Sequence, residues 1–347
     1  MTDEITYLEL VAKVRDPETT DEELLEYFTL EKGAGGFDIH AVINTETVKQ
    51  TAADEELENA MQIGNGLARL RHRIRYFDSV KKFPDRPTIV AEGDSWFQFP
   101  LLIQETVDYL SQVYNVWSLG AAGDTLENMV HGAGIGHGAE FLTELRRMRS
   151  KADVFLFSGA GNDIIGEDPV TKLPMLESLL LSFNGDASDV EGHINHAELD
   201  RRLVMLETGY RRVVGLVRAE RGLETLPIVF HGYDYPYPYP WGTNDPRNPR
   251  YADKDQWLGR AFAARNIHDD ELRRNILIHM IDRLYDMLAD VSGDSSTTGI
   301  WVVNCRGTLR ELGDWNDEIH GTTPGFAGVG RAFHDVISKA IAARKVS

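Results

Sequence analysis

Thr88-Ile89-Val90-Ala91-Glu92-Gly93-Asp94-Ser95-Trp96 decides how this chain folds. Its first four residues are apolar or β-branched, the composition of a short buried strand, and Gly93 then allows a sharp turn. Similar runs recur at Val116–Leu119, Val154–Phe157, Ile228–Phe230 and Ile300–Val303. Between them apolar residues return at helical spacing: Ile103, Val107, Leu110 and Tyr114; a stretch from Phe141 to Arg149; Leu199, Leu203, Leu206, Tyr210 and Val213; Leu277, Ile281, Leu284 and Leu288. Phe326, Val329, Phe333, Ile337 and Ile341 close the chain in the same way. Strands alternating with helices predict an α/β fold. It is a three-layer α/β/α arrangement with a doubly wound, five-stranded parallel sheet, whose ligands bind beyond the carboxyl ends of the strands.

The composition narrows the function. Of 347 residues 42% are hydrophobic and 26% charged, which fits a globular chain and excludes a disordered one. The formal charge of −19 disfavours nucleic acid and anionic membrane surfaces as partners, and no apolar run reaches the ~18 residues of a membrane span. One cysteine, Cys305, rules out an intrachain disulfide and a cysteine-based zinc site. Met1-Thr2-Asp3-Glu4 lacks the start of a signal peptide, so a cytoplasmic location is expected, with signal-independent export left open.

Residues 1–84 read as a mostly helical accessory region, and 85–347 as the main domain. Thr20-Asp21-Glu22-Glu23 has the pattern of a capping box. A second helix is expected from Glu55 to Phe77, with Arg69, Arg71, Arg73 and Arg75 near its end. These arginines read as a solvated face, with a docking surface for an acidic protein partner as the alternative.

What lies at the strand ends carries chemistry. Ser95 follows the first strand at a turn where a helix N-terminus would offer N–H groups to an oxyanion, although Asp94 or Ser95 as a simple cap is the stronger reading of these residues alone. The second strand runs into Gly120-Ala121-Ala122-Gly123-Asp124-Thr125, where Gly123 can present an unobstructed N–H. The third runs into Ser158-Gly159-Ala160-Gly161-Asn162-Asp163, where the Asn162 amide is either an oxyanion donor or the closure of an Asx-turn. After the last strand, Asp317 and His320 are spaced so that the carboxylate can hold one imidazole nitrogen.

Taken in order, Gly-Asp-Ser, Gly-Asp-Thr, Gly-Asn-Asp and Asp-x-x-His resemble the blocks of the SGNH hydrolases, the GDSL esterase/lipase family, over residues 87 to 345. The resemblance implies a flavodoxin-like sheet and a serine esterase acting through an acyl-enzyme without a cofactor. Ser95 matches the nucleophile, His320 the base and Asp317 its orienting acid. The oxyanion hole would be Gly123, Asn162 and the Ser95 N–H. Trp96 departs from the family's usual leucine, and Ala160 from a frequent glycine. The long interval from Asn162 to Asp317 places insertions near 166–196 and 234–275, over the catalytic rim.

The second insertion begins in a Tyr-Pro alternation, His231 to Trp241. Proline keeps such a ribbon extended, so Tyr233, Tyr235 and Tyr237, with Trp96, are the candidate substrate-binding residues, and a rigid surface loop is the equal alternative. His231 competes with His320 as base, but lies at another strand end. No His/Asp/Glu grouping has metal-ligand spacing, so no metal is expected. The expected substrate is a small-molecule, lipid or sugar ester, lysophospholipase-like in the first reading and O-acetylated carbohydrate in the second. A non-catalytic scaffold on the same fold is the rival from another class.

Overall fold

The computed structural model describes residues 5–6, 9–10, 13, 19–32, 39–44, 46–49, 63–99, 103–132, 139–166, 174–247 and 258–345. Five strands form one parallel sheet: β5 (Thr88–Gly93), β6 (Asn115–Ser118), β7 (Ala152–Ser158), β8 (Ile228–His231) and β9 (Ile300–Val303). Their order is β6-β5-β7-β8-β9, and every pairing is parallel. The chain therefore reverses its direction of travel across the sheet between β5 and β7, which opens a crevice at their carboxyl ends. All five expected strands are present at the expected places.

Both faces of the sheet are covered, and for that reason its strands are apolar almost throughout. Phe155, Phe157 and Phe230 meet Phe141 of the helix Glu140–Met148 and Tyr210 of the helix His196–Arg218. His231 points the other way, toward Phe333 of the helix Thr323–Arg344. That last helix is capped by Thr322 with a proline in its first turn. The helix Asp270–Ser292, capped by Asp269, packs against His196–Arg218 and against β8 and β9.

The N-terminal region is less helical than its sequence pattern implies. Thr20 and Glu23 do form the capping box of a helix, Asp21–Leu25. Around it lie two two-stranded sheets, β1 (Ile5–Thr6) with β4 (Val48–Lys49) and β2 (Phe28–Lys32) with β3 (Ile39–Ile43). These strands are only two or five residues long, and although Phe28, Ile43 and Val48 are buried, runs this short did not announce them. The helix Ile63–Lys82 is present, while the stretch expected to begin it, from Glu55, lies outside the described residues. Leu70 packs on a small core of Leu10, Leu24, Tyr27 and Phe28, whereas Tyr76 belongs to the main core.

The arginines of this helix are not a solvated face. Arg69 donates to the carbonyls of Leu119 and Gly120 and pairs with Glu140. Arg71 donates to Thr19 O at 2.6 Å, Arg73 lies over the Trp117 ring, and Arg75 pairs with Asp108. They fasten the helix along β6, the edge strand that would otherwise be bare. Among the described residues no helix is long and apolar enough to cross a membrane.

Candidate active site

β5 ends at Gly93, where a Cβ would lie 2.6 Å from Ser158 Cβ, so only glycine lets β5 and β7 approach this closely. Asp94 O then accepts from Phe97 N and Gln98 N, closing one tight turn with Ser95 at its apex. The loop after β9 is just as constrained: Trp315 bridges Gly321, and Asn316 N donates to His320 O at 2.8 Å. Trp96 ties the two loops together, its Nε1 donating to Ile319 O at 3.0 Å.

Fixed in this way, Ser95 Oγ lies 2.8 Å from His320 Nε2, and His320 Nδ1 lies 2.8 and 3.0 Å from the two Asp317 oxygens. All three residues are buried. Burial pushes the Asp317 carboxyl up, but the His320 ring and the N–H groups of Ile319 and His320 outweigh it and hold the pKa below the ordinary value. An ionised Asp317 accepts from Nδ1–H, which leaves the Nε2 lone pair facing the serine hydroxyl.

The two glycine-rich loops meet beside Ser95. Asn162 Nδ2 donates to Asp124 O at 2.6 Å, across the loops rather than within its own. An amide has two N–H bonds, and this one uses the first to set the loop of Gly123, which adopts φ +83°. Ala160 adopts φ +88°, a conformation that favours glycine, the residue the family resemblance leads one to expect there.

Behind Ser95 lies a buried polar chain. Tyr233 N donates to His231 Nδ1, so His231 Nε2 carries the proton and donates to Ser158 Oγ at 2.6 Å; Ser158 in turn donates to Asp94 Oδ1 at 2.9 Å. Tyr233 OH lies on Asp94 Oδ2 and 2.7 Å from Gly159 O, and accepts from Gly161 N. Burial pushes Asp94 up to about 6 and His231 down to about 3. His231 is thus a neutral strut of the core with no route to Ser95 Oγ. These contacts were invisible in the sequence because their partners sit on three different strands.

Ser95 stands at the mouth of a narrow cavity of about 90 Å³. Leu199, Leu203 and Leu206 form one wall and Leu277, Met280 and Leu284 the other, with Leu258 and Trp315 among the remaining lining residues. Asp94, Ser95 and Asn162 give it a polar end. Trp96 and Tyr233 line it. Tyr235 and Tyr237 do not: their hydroxyls donate to Asp282 and to the Arg310 carbonyl. A phenol needs a partner when packed, and these two found theirs in the fold, so the ribbon is mainly a rigid structural loop.

Two side-chain clusters escaped sequence spacing because the fold assembles them: Glu191 with His196 and His279, and His72 with Glu105 and Asp108.

No family model matches the chain, and no curated protein matches it in sequence. Among solved structures, it is similar to a protein from Streptococcus pneumonia provisionally described as a platelet activating factor, at 12% identity and TM-score 0.40, covering 83% of this chain and 99% of that one. It is also similar to Est24, a carbohydrate acetylesterase from Sinorhizobium meliloti, at 13% identity and TM-score 0.39, covering 72% of this chain and 97% of that one.

Proposed function

We propose that this chain is a serine hydrolase of carboxylic esters, of the SGNH type, acting on esters with an apolar acyl chain. The observation that carries the reading is the continuous array Ser95 Oγ–His320 Nε2, His320 Nδ1–Asp317, at 2.8 Å in each link, opening on an apolar cavity. His320 takes the serine proton as Oγ attacks the ester carbonyl, and returns it to the departing alcohol. Asp317 stabilises the imidazolium in between. Negative charge on the carbonyl oxygen would meet the second Asn162 N–H and the backbone N–H groups of Gly123 and Ser95. Water then repeats the cycle and releases the acid.

The cavity favours an acyl chain over a sugar. Its aliphatic walls offer no partners for hydroxyl groups, and each unpaired hydroxyl would cost ~1–3 kcal/mol. Tyr233 and Asp234, which also line it, are committed within the fold. A lysophospholipase-like substrate fits these walls; an acetylated carbohydrate fits them less well.

Ser95→Ala should lower ester turnover by at least ~10⁴-fold while the protein stays folded. A fluorophosphonate probe should label the parent at Ser95 and leave the variant unmarked. A folded parent that takes no label would make this a scaffold rather than an enzyme.

A further inference from the structure

Glu191 lies in a short 3₁₀ turn within the first insertion, His196 opens the helix His196–Arg218, and His279 sits midway along Asp270–Ser292. Packing brings them together although nothing in their spacing announces it. His196 Nε2 is 3.1 Å from one Glu191 oxygen, and His279 Nδ1 is 3.1 Å from the other. The three donor atoms all lie within 4.8 Å of one another. Zinc bonds to nitrogen and oxygen of ~2.0–2.2 Å put tetrahedral neighbours ~3.3 Å apart, a separation close to each histidine–carboxylate distance, one to each Glu191 oxygen. His279 Nε2 is sealed from solvent without a hydrogen-bond partner, which leaves Nδ1 as the polar edge of that ring.

We propose that Glu191, His196 and His279 form a binding site for a divalent transition-metal ion of the zinc type. Two imidazoles and one carboxylate select Zn²⁺, Co²⁺ or Ni²⁺ over Ca²⁺ and Mg²⁺, which prefer all-oxygen shells. Three protein ligands leave a fourth position for water. Both histidines are carried by rigid helices, and these two helices supply the facing walls of the apolar cavity. A bound ion therefore staples the first insertion to both walls at once. The second cluster is a poorer host, because the Arg75 guanidinium already pairs with Asp108 there.

The test uses the full chain without a histidine tag, stripped with a chelator and titrated with Zn²⁺ or Co²⁺. One ion per chain should bind, Co²⁺ should show the visible bands of a four-coordinate site, and the Tm should rise on loading. His196→Gln and His279→Gln, each checked for folding by circular dichroism, should weaken Zn²⁺ by at least ~100-fold. His72→Gln should leave the affinity unchanged. Binding that survives both of the first two variants, loss confined to His72→Gln, or failure of the parent to bind Zn²⁺ at all would each overturn the assignment. In that last case histidine–carboxylate hydrogen bonding is the cluster's whole role.

Discussion

Asn162 gives one amide hydrogen to Asp124 O, and its two possible roles now make separable demands. As a tie between loops it holds Gly123 in place; as an oxyanion donor it acts only once charge develops on the substrate. Asn162→Ala should lower kcat by ~10²–10³-fold, with KM changed little. Losing the tie alone would lower the Tm and leave turnover in the cold largely intact. Kinetics and melting on the same variant distinguish the two. The sequence singles out Ser95 and Asn162 just beyond β5 and β7, and Asp317 and His320 by their spacing in the loop after β9, and the structure brings Ser95, His320 and Asp317 into contact. Tyr235 and Tyr237 were misread for a physical reason: sequence shows a ring's apolar body but not the partner its hydroxyl will find.

At the scale of elements, the two long helices act as the walls of a slot. Leu203 and Leu277 face it from opposite sides, both buried. Leu203→Trp should fill the slot and shift the preferred ester toward shorter chains, lowering kcat/KM for an octanoyl ester by more than ~10-fold relative to acetate. A chain-length series on p-nitrophenyl esters reads this directly. An unchanged profile would place the acyl group elsewhere without disturbing the Ser95 assignment. The loop after β9 reaches the same slot through Glu318. Its Oε1 accepts from Tyr239 N and Gly259 N at 2.7 Å each, and its Oε2 from Leu258 N at 2.8 Å. Leu258 lines the slot and Asp317 precedes Glu318, so one carboxyl positions both the wall and the carboxylate that holds His320. Arg247 adds a second tie, donating to Asp317 O and Tyr237 O. Glu318→Gln turns an acceptor into a donor facing N–H groups. It should raise KM for long esters several-fold while acetate turnover holds; an equal loss on both esters would reduce Glu318 to a scaffold residue. No sequence rule singled out Glu318, because its three donors come from a distant insertion.

For the whole molecule, the sheet was legible because doubly covered parallel strands must be apolar along their length. The N-terminal sheets were not, since paired strands of two and five residues are too short to carry a decisive pattern. The acidic composition likewise hid how many carboxyls are buried. Burial pushes Glu318 up to about 7, Asp94 and Asp124 up to about 6, and Glu92 well above its ordinary value. A carboxyl whose pKa is raised on folding holds its proton better folded than unfolded. Each of these groups therefore removes stability as pH rises from its unfolded value near 4 toward its folded one. His231, held down to about 3 by burial, works in the opposite sense: the unfolded chain takes up its proton first, so stability rises with pH up to about 6.5. These raised carboxyls outnumber the single histidine and give a net fall in stability between about pH 4.5 and 7. Asp317, whose pKa is lowered, adds stability above its unfolded value and loses it only in stronger acid. The Tm should therefore decline across that window. Comparison with Glu318→Gln isolates one carboxyl: the gap in stability should shift in the variant's favour as pH rises from 4.5 toward 7, by on the order of a few kcal/mol. A gap independent of pH would mean that Glu318 ionises in the fold as easily as in water, and that its three N–H donors offset its burial.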